Sequence, residues 1–207
     1  MKHMSRFFIA FGCILGIATT AQATPITGGQ TQLTLTAAST FAMLGATISP
    51  LGTATLSSAT NPVATFPITG GSAAPGGDVI QHMGSGLEIS ATSPTTIVDT
   101  RNYVINTTTE VIDASVSING GSATTLALFK LGSKGLSNIP FTLTQTAVND
   151  LNAAFGIDAL STSLQIGTMT SSPAVKLTPV PEPATAPLIG MALLGLAAFR
   201  RRARAAH

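Results

Sequence analysis

Apolar and polar residues alternate in short runs along most of the middle of the chain. The runs lie at residues 30–36, 53–56, 63–68, 87–90, 95–98 and 103–106. A period of two places successive side chains on opposite faces of an extended strand. The pattern therefore predicts a domain built mainly of short β-strands.

A β-hairpin is predicted from Val111 to Leu131. Alternate positions from residue 112 to residue 118 are apolar, and Leu126 and Leu128 resume the alternation. Between the two runs, Asn119-Gly120-Gly121 supplies residues that tolerate positive φ, which a tight hairpin turn requires.

One segment has the spacing of a helix, from Gln145 to Phe155. Val148, Leu151 and Phe155 fall on one face of such a helix. Thr144 or Thr146 can cap its start, and Gly156 can end it. The sequence therefore predicts one short helix beside the strands.

The fold class predicted from these elements is all-β or mainly β. A weaker helical pattern covers residues 37–44, and segments rich in Gly, Ser and Pro at 70–78 and 90–94 are predicted to be loops. We expect residues 24–178 to form one β-sandwich or barrel-like domain with a short helix packed on it.

The charge of the chain is concentrated at its ends. The net charge is +2, and the sequence pI is about 9.0. Residues 24–178 contain four cations against seven anions, which gives 4 − 7 = −3. The middle domain is therefore mildly acidic, and this argues against a nucleic-acid partner.

The N-terminus has the pattern of a signal peptide. Lys2 and Arg6 precede an apolar run from 7 to 18, and Ala21-Gln22-Ala23 is the small-residue motif that signal peptidase recognises. We expect residues 1–23 to be removed by cleavage between Ala23 and Thr24.

Two alternatives for the N-terminus remain open. Cys13 could be the lipid-modified first residue of a lipoprotein, or the segment could be an uncleaved anchor. The apolar run is shorter than the roughly 20 residues that span a bilayer, which favours cleavage. Cys13 is the only cysteine, so residues 24–178 contain no disulfide and no thiolate metal ligand.

The C-terminus combines three features in a fixed order. Val180-Pro181-Glu182-Pro183 precedes an apolar run from about 186 to 199, and four arginines follow, namely Arg200, Arg201, Arg202 and Arg204. The prolines exclude helix around Glu182, and a basic tail after an apolar segment stays on the cytoplasmic side of a membrane. A permanent C-terminal anchor with a Pro-rich stem is the alternative interpretation.

Residues 179–207 closely resemble the PEP-CTERM sorting signal. The resemblance implies recognition at Pro181, Glu182 and Pro183 by an exosortase, a membrane protease-transpeptidase of Gram-negative bacteria that usually make exopolysaccharide. It further implies a transient inner-membrane intermediate, an envelope or extracellular destination and, as a possible partner, exopolysaccharide. It implies nothing about the activity of the middle domain.

Residues that could support catalysis or metal binding are sparse in the middle domain. His82 is the only histidine between residues 24 and 178, and no serine lies in a G-x-S-x-G motif. Asp99, Glu110 and Asp113 do not have the spacing of a calcium loop. We predict no catalytic residue and no metal site, and therefore a protein that is not an enzyme.

A second, fainter resemblance concerns the middle of the chain. Its sequence blocks are Phe66-Pro67-Ile68-Thr69-Gly70-Gly71, Ile80-Gln81-His82 with Leu87-Glu88-Ile89, and residues 96–105. Their order resembles that of HtaA-type haem-binding domains, which are exported and β-rich. The resemblance implies haem as a cofactor, with His82 and Tyr103 as the candidate axial ligands.

Three hypotheses for function follow from the sequence. The first, which we favour, is a cell-surface or extracellular-matrix protein without enzymatic activity. The second is a surface module that binds haem or a saccharide. The third is an envelope hydrolase that uses scattered carboxylates such as Glu88 and Asp99.

Overall fold

A computed structural model describes residues 23–43 and 45–176. Eleven strands and two helices occur among them. In chain order the elements are β1 (Thr24–Leu35), α1 (Ala38–Met43), β2 (Ala46–Gly52), β3 (Thr55–Leu56), β4 (Val63–Pro67), β5 (Gly70–Ala73), β6 (Val79–Thr92), β7 (Thr95–Asn106), β8 (Val111–Ile118), β9 (Thr124–Leu131), β10 (Ile139–Leu143), α2 (Gln145–Phe155) and β11 (Gln165–Val175).

The strands form one antiparallel sheet. Its order is β11-β10-β9-β8-β7-β6-β5-β1-β4-β3, and β2 pairs with β6 beside this path. A further pairing between β11 and β1 closes the sheet on itself. The predicted mainly-β class, with a barrel-like sheet and one short packed helix, is confirmed.

The closing pair depends on a close approach of two backbones. β1 and β11 pair from Leu35 opposite Gly167 to Ile26 opposite Val175, with one shift of register between Ile26 and Gly28. A Cβ on Gly167 would collide with the backbone carbonyl oxygen of Thr34. Glycine is therefore needed at this position for β11 to lie against β1.

The core fills the space inside the closed sheet. Its largest fully buried apolar side chains are Phe66, Phe141, Ile80, Ile105, Ile112, Leu131, Met169 and Val98. These residues lie on β4 and on each strand from β6 to β11, so the apolar positions of these strands face one common interior.

Helix α2 covers part of this core and contacts β9. Val148, Leu151 and Phe155 are buried on its inner face. The Thr144 side chain accepts a hydrogen bond from the Ala147 amide at 3.2 Å, and Gly156 ends the helix with φ of 64°. The helix predicted from Gln145 to Phe155 is confirmed with its caps.

Two predicted loops were wrong in part. In the predicted loop at 70–78, residues 70–73 form strand β5, and only residues 74–78 connect it to β6. In the predicted loop at 90–94, β6 continues to Thr92, and only residues 93 and 94 form the turn before β7. The runs at 95–98 and 103–106 belong to one strand, β7. Glycine-rich sequence favours loops, but here the backbone of β5 bridges β1 and β6 without needing large side chains.

The two targeting segments lie almost entirely outside the described residues. Ala23 is exposed and directly precedes β1, whereas Pro181, Glu182, Pro183 and the four arginines fall beyond residue 176. Neither helix among residues 23–43 and 45–176 is long and apolar enough to cross a membrane.

Candidate functional site

The structure brings His82 and Tyr103 together. They lie on β6 and β7 as directly opposed residues of the antiparallel pair. Both side chains point into the core, where His82 is 1% exposed and Tyr103 is 3% exposed. The glycine-containing sequence Met83-Gly84-Ser85-Gly86 that follows His82 is typical of a loop, but Ile80-Gln81-His82 and these residues all belong to strand β6.

A bulge beside this pair explains why the sequence suggested a loop. The register of β6 and β7 shifts between His82 and Gly86. Gly84 has φ of 77° and Asn102, across the strand pair, has φ of 55°. The Gly84 amide donates to Asn102 Oδ1 at 2.8 Å. Gly84 and Gly86 therefore belong to a β-bulge, and strand β6 continues on either side of it.

Hydrogen bonds satisfy both ring nitrogens of His82. Nδ1 lies 3.3 Å from the Tyr103 carbonyl oxygen, to which it must donate. Nε2 lies 2.8 Å from Thr31 Oγ1, and Thr31 Oγ1 lies 2.7 Å from Ser171 Oγ. Since Nδ1 carries the hydrogen, Nε2 accepts from the Thr31 hydroxyl, which can accept from Ser171. The network joins β6, β7, β1 and β11.

Burial makes His82 a weak base. Desolvation lowers its pKa from the ordinary 6.5 to about 4, and the hydrogen bond to the Tyr103 backbone opposes this shift. Because the interior disfavours the charged imidazolium, His82 is neutral at physiological pH. A neutral imidazole whose two nitrogens are already occupied stabilises the core and is not free to act as a general base.

Tyr103 is also hydrogen-bonded and packed within the core. Its hydroxyl lies 2.6 Å from Thr100 Oγ1, which donates to the Leu87 carbonyl at 2.9 Å. Its ring packs edge-on against Phe66 with ring centroids 5.1 Å apart. Desolvation raises the pKa of the phenol above its ordinary value, against the hydrogen bond to Thr100. The phenolate that would ligate ferric haem is therefore disfavoured.

The cavities at this pair are too small for haem. The cavity that touches both side chains has a volume of about 10 Å³. A second cavity, on the Thr100 side of Tyr103, has a volume of about 30 Å³ and is lined mostly by apolar side chains. Pockets for cofactors and drug-sized ligands are on the order of 300–1,000 Å³. In this arrangement His82 and Tyr103 do not fit a haem.

The carboxylates considered for hydrolysis lie elsewhere. Glu88 and Asp99 are direct cross-strand neighbours on β6 and β7. Arg101 reaches Asp99 Oδ2 at 3.4 Å, and the other oxygen, Oδ1, is buried without a hydrogen-bond partner among the described residues. Within residues 23–43 and 45–176, no group of three or more His, Cys, Asp or Glu side chains could hold a metal ion.

The described residues also form a groove that the sequence analysis missed. It has a volume of about 570 Å³ and lies where β9, β10 and the start of α2 meet. Its lining residues are Thr109, Val111, Lys130, Leu131, Gly132, Pro140, Thr142, Leu143, Thr144, Gln145, Thr162 and Gln165. Most of the polar residues are threonines and glutamines, which carried no recognisable motif.

A comparison with protein families identifies the C-terminal segment. Residues 179–202 match the family model described as the PEP-CTERM protein-sorting motif. The chain carries a PEP-CTERM motif. The match includes Pro181, Glu182 and Pro183 and three of the four predicted arginines. The motif indicates an exported, envelope-associated protein that an exosortase-type system processes. A search of curated protein sequences found no match.

Solved structures are similar to the β domain upstream of the PEP-CTERM motif. One is the C-terminal domain of HtaA from Corynebacterium glutamicum, with a TM-score of 0.52 and 12% identity over 74% of this chain and 99% of that domain. Another is the haem-binding protein HtaB from the same organism, with a TM-score of 0.47 and 9% identity over 76% of this chain and 100% of that protein. The likeness to HtaA concerns the fold.

Proposed function

We propose that this chain is an exosortase-processed surface protein whose β domain acts without catalysis. It has three parts: a signal peptide at 1–23, an exported domain at 24–178 and a sorting signal at 179–207. The PEP-CTERM motif is the observation that carries the proposal. Signal peptidase removes the first part, and the C-terminal apolar segment holds the protein in the inner membrane until the exosortase acts.

The arrangement of reactive side chains supports a role without catalysis. The one histidine of the exported domain is buried and neutral, with both ring nitrogens hydrogen-bonded. Glu88 and Asp99 do not line any of the cavities described above. A hydrolase needs an acid and a base that converge on a concave substrate site.

The mass of the protein recovered from its native host tests this proposal. We expect a product that begins at Thr24 and lacks the tail beyond the motif. Replacing Pro181, Glu182 and Pro183 together by alanine should leave the C-terminus intact, whereas Thr178→Ala, outside the matched segment, should not change processing. A full-length C-terminus in every sample would show that the tail is a plain membrane anchor.

Haem binding is the second candidate function. It is supported by the order of the sequence blocks around His82 and Tyr103 and by the adjacency of these two side chains. Their burial and the small cavities oppose it. We therefore expect the Soret band of haemin to stay as in free haemin when the folded protein is added at neutral pH. A stoichiometric shift and sharpening of the Soret band that Tyr103→Phe abolishes would establish haem binding instead.

A further inference from the structure

The groove described above presents a regular row of polar side chains. Lys130 on β9 is opposite Thr142 on β10, which is opposite Gln165 on β11. Neighbouring strands are about 4.8 Å apart, so the three side chains follow one another at that interval. Phe129, Leu131, Phe141 and Leu143, which flank Lys130 and Thr142 along their strands, are buried, so the row faces outward.

The charge of the groove differs from that of the domain around it. No carboxylate lines the groove, although residues 24–178 carry a net charge of −3. Lys130 is its only charged lining residue and makes no salt bridge among the described residues. The groove therefore favours an anion over a cation, and it offers neither carboxylate nor imidazole to a metal.

The remaining lining groups select the kind of anion. Thr109, Thr142, Thr162 and the two glutamine amides can both donate and accept hydrogen bonds, which suits a ligand rich in hydroxyl groups; the Thr144 hydroxyl is already engaged with the Ala147 amide and the Ala127 carbonyl. No aromatic side chain lines the groove, so flat rings find no stacking partner there. A volume of about 570 Å³ lies within the range typical of small-ligand sites.

We propose that the groove binds a segment of an acidic polysaccharide. Lys130 binds a carboxylate of the sugar chain, and Thr142 and Gln165 hydrogen-bond to the hydroxyl groups beside it. The inference deepens the surface role proposed above. It rests on that proposal only for the location, the cell surface, at which the protein encounters the polysaccharide. The binding chemistry itself depends on the groove alone.

Binding to three soluble polymers tests the proposal. The protein is purified from its host in whatever form it is processed, its mass is recorded, and affinities for polyuronate, dextran and polyglutamate are measured by calorimetry. We expect binding to polyuronate only. Lys130→Gln should weaken this binding about 10-fold or more, because a charge-assisted hydrogen bond is lost. Lys134→Gln, an exposed lysine outside the groove, is the matched control and should not change the affinity.

Each alternative result overturns the inference. Equal affinity for polyglutamate would show that charge alone attracts the polymer, and equal affinity for dextran would remove the role of Lys130. Equal losses in Lys130→Gln and Lys134→Gln would indicate nonspecific attraction. No binding to polyuronate by a protein that circular dichroism shows to be folded would exclude the site. Since the recorded mass reports processing separately, failure here is distinguishable from failure of the sorting proposal.

Discussion

His82 links the stability of the domain to pH. Its pKa is about 4 in the folded protein and 6.5 in an unperturbed imidazole. Between these values the unfolded chain binds more protons than the folded one, so the free energy of unfolding decreases as pH falls from 6.5 to 4. The loss attributable to His82 is about 3 kcal/mol over this window. Urea unfolding followed by circular dichroism at pH 7 and pH 4.5 measures it.

The His82→Gln variant separates this effect from the carboxylates. Glutamine retains a donor and an acceptor but does not titrate near these pH values, while every Asp and Glu is unchanged. We expect a shallower decrease in unfolding free energy for the variant than for the wild type. Parallel decreases, or an NMR titration that gives His82 a pKa near 6.5, would contradict the buried neutral histidine. His82 is the only histidine between residues 24 and 178, which simplifies the assignment.

Tyr103→Phe should destabilise the domain only slightly. The phenol donates to Thr100 Oγ1, but Thr100 keeps its own acceptor in the Leu87 carbonyl. The variant therefore leaves no buried donor unpaired, and the expected cost is about 1 kcal/mol. Thr31→Val should cost more, because it leaves both His82 Nε2 and the Ser171 hydroxyl without this partner. Urea unfolding at pH 7 ranks the two variants, and the reverse order would contradict the network.

The elements that could be predicted are those whose signal is local. Helix α2 has apolar spacing, an N-cap and a terminal glycine within 13 residues, and the β8–β9 hairpin has its turn between two alternating runs. Strands β2 and β10 were missed because Pro50 and Pro140 interrupt short runs. β2 pairs only with β6, so Pro50 is tolerated at a sheet edge.

The candidate site could be predicted only in part. The resemblance to HtaA-type domains, together with the scarcity of histidine and tyrosine, singled out His82 and Tyr103, and the structure places them opposite each other. Their burial could not be predicted, since it depends on Thr31 and Ser171, which are 140 residues apart. The groove was missed for the same reason: Lys130, Thr142 and Gln165 are brought into one row only by strand pairing.

The closing pair of strands should be sensitive to one methyl group. Gly167→Ala places a Cβ against the Thr34 carbonyl, so β11 must move away from β1. We expect a loss of at least about 2 kcal/mol in unfolding free energy. Gly28→Ala on β1, where a Cβ meets no heavy atom within 4 Å, should change it by less than about 0.5 kcal/mol. Equal effects of the two substitutions in urea unfolding would contradict the close approach.

At the scale of the whole molecule, the closed sheet and the sorting signal are separate in sequence. The last strand, β11, ends at Val175, and the PEP-CTERM match begins at residue 179. β11 contributes the buried Ile166 and Met169 and pairs with both β1 and β10. Folding therefore requires the chain through β11, and all the core residues described here precede the sorting signal in sequence.

Two truncations test this division. A protein of residues 24–178 should melt cooperatively in circular dichroism, within about 3 °C of the processed protein from the host, because every buried residue described here is retained. A protein of residues 24–164 lacks β11, leaves β1 and β10 without a partner along one edge and should not melt cooperatively. If the longer fragment also failed to fold, the sorting segment would be part of the folded domain. If the shorter fragment folded, closure through β11 would not be what holds the sheet together.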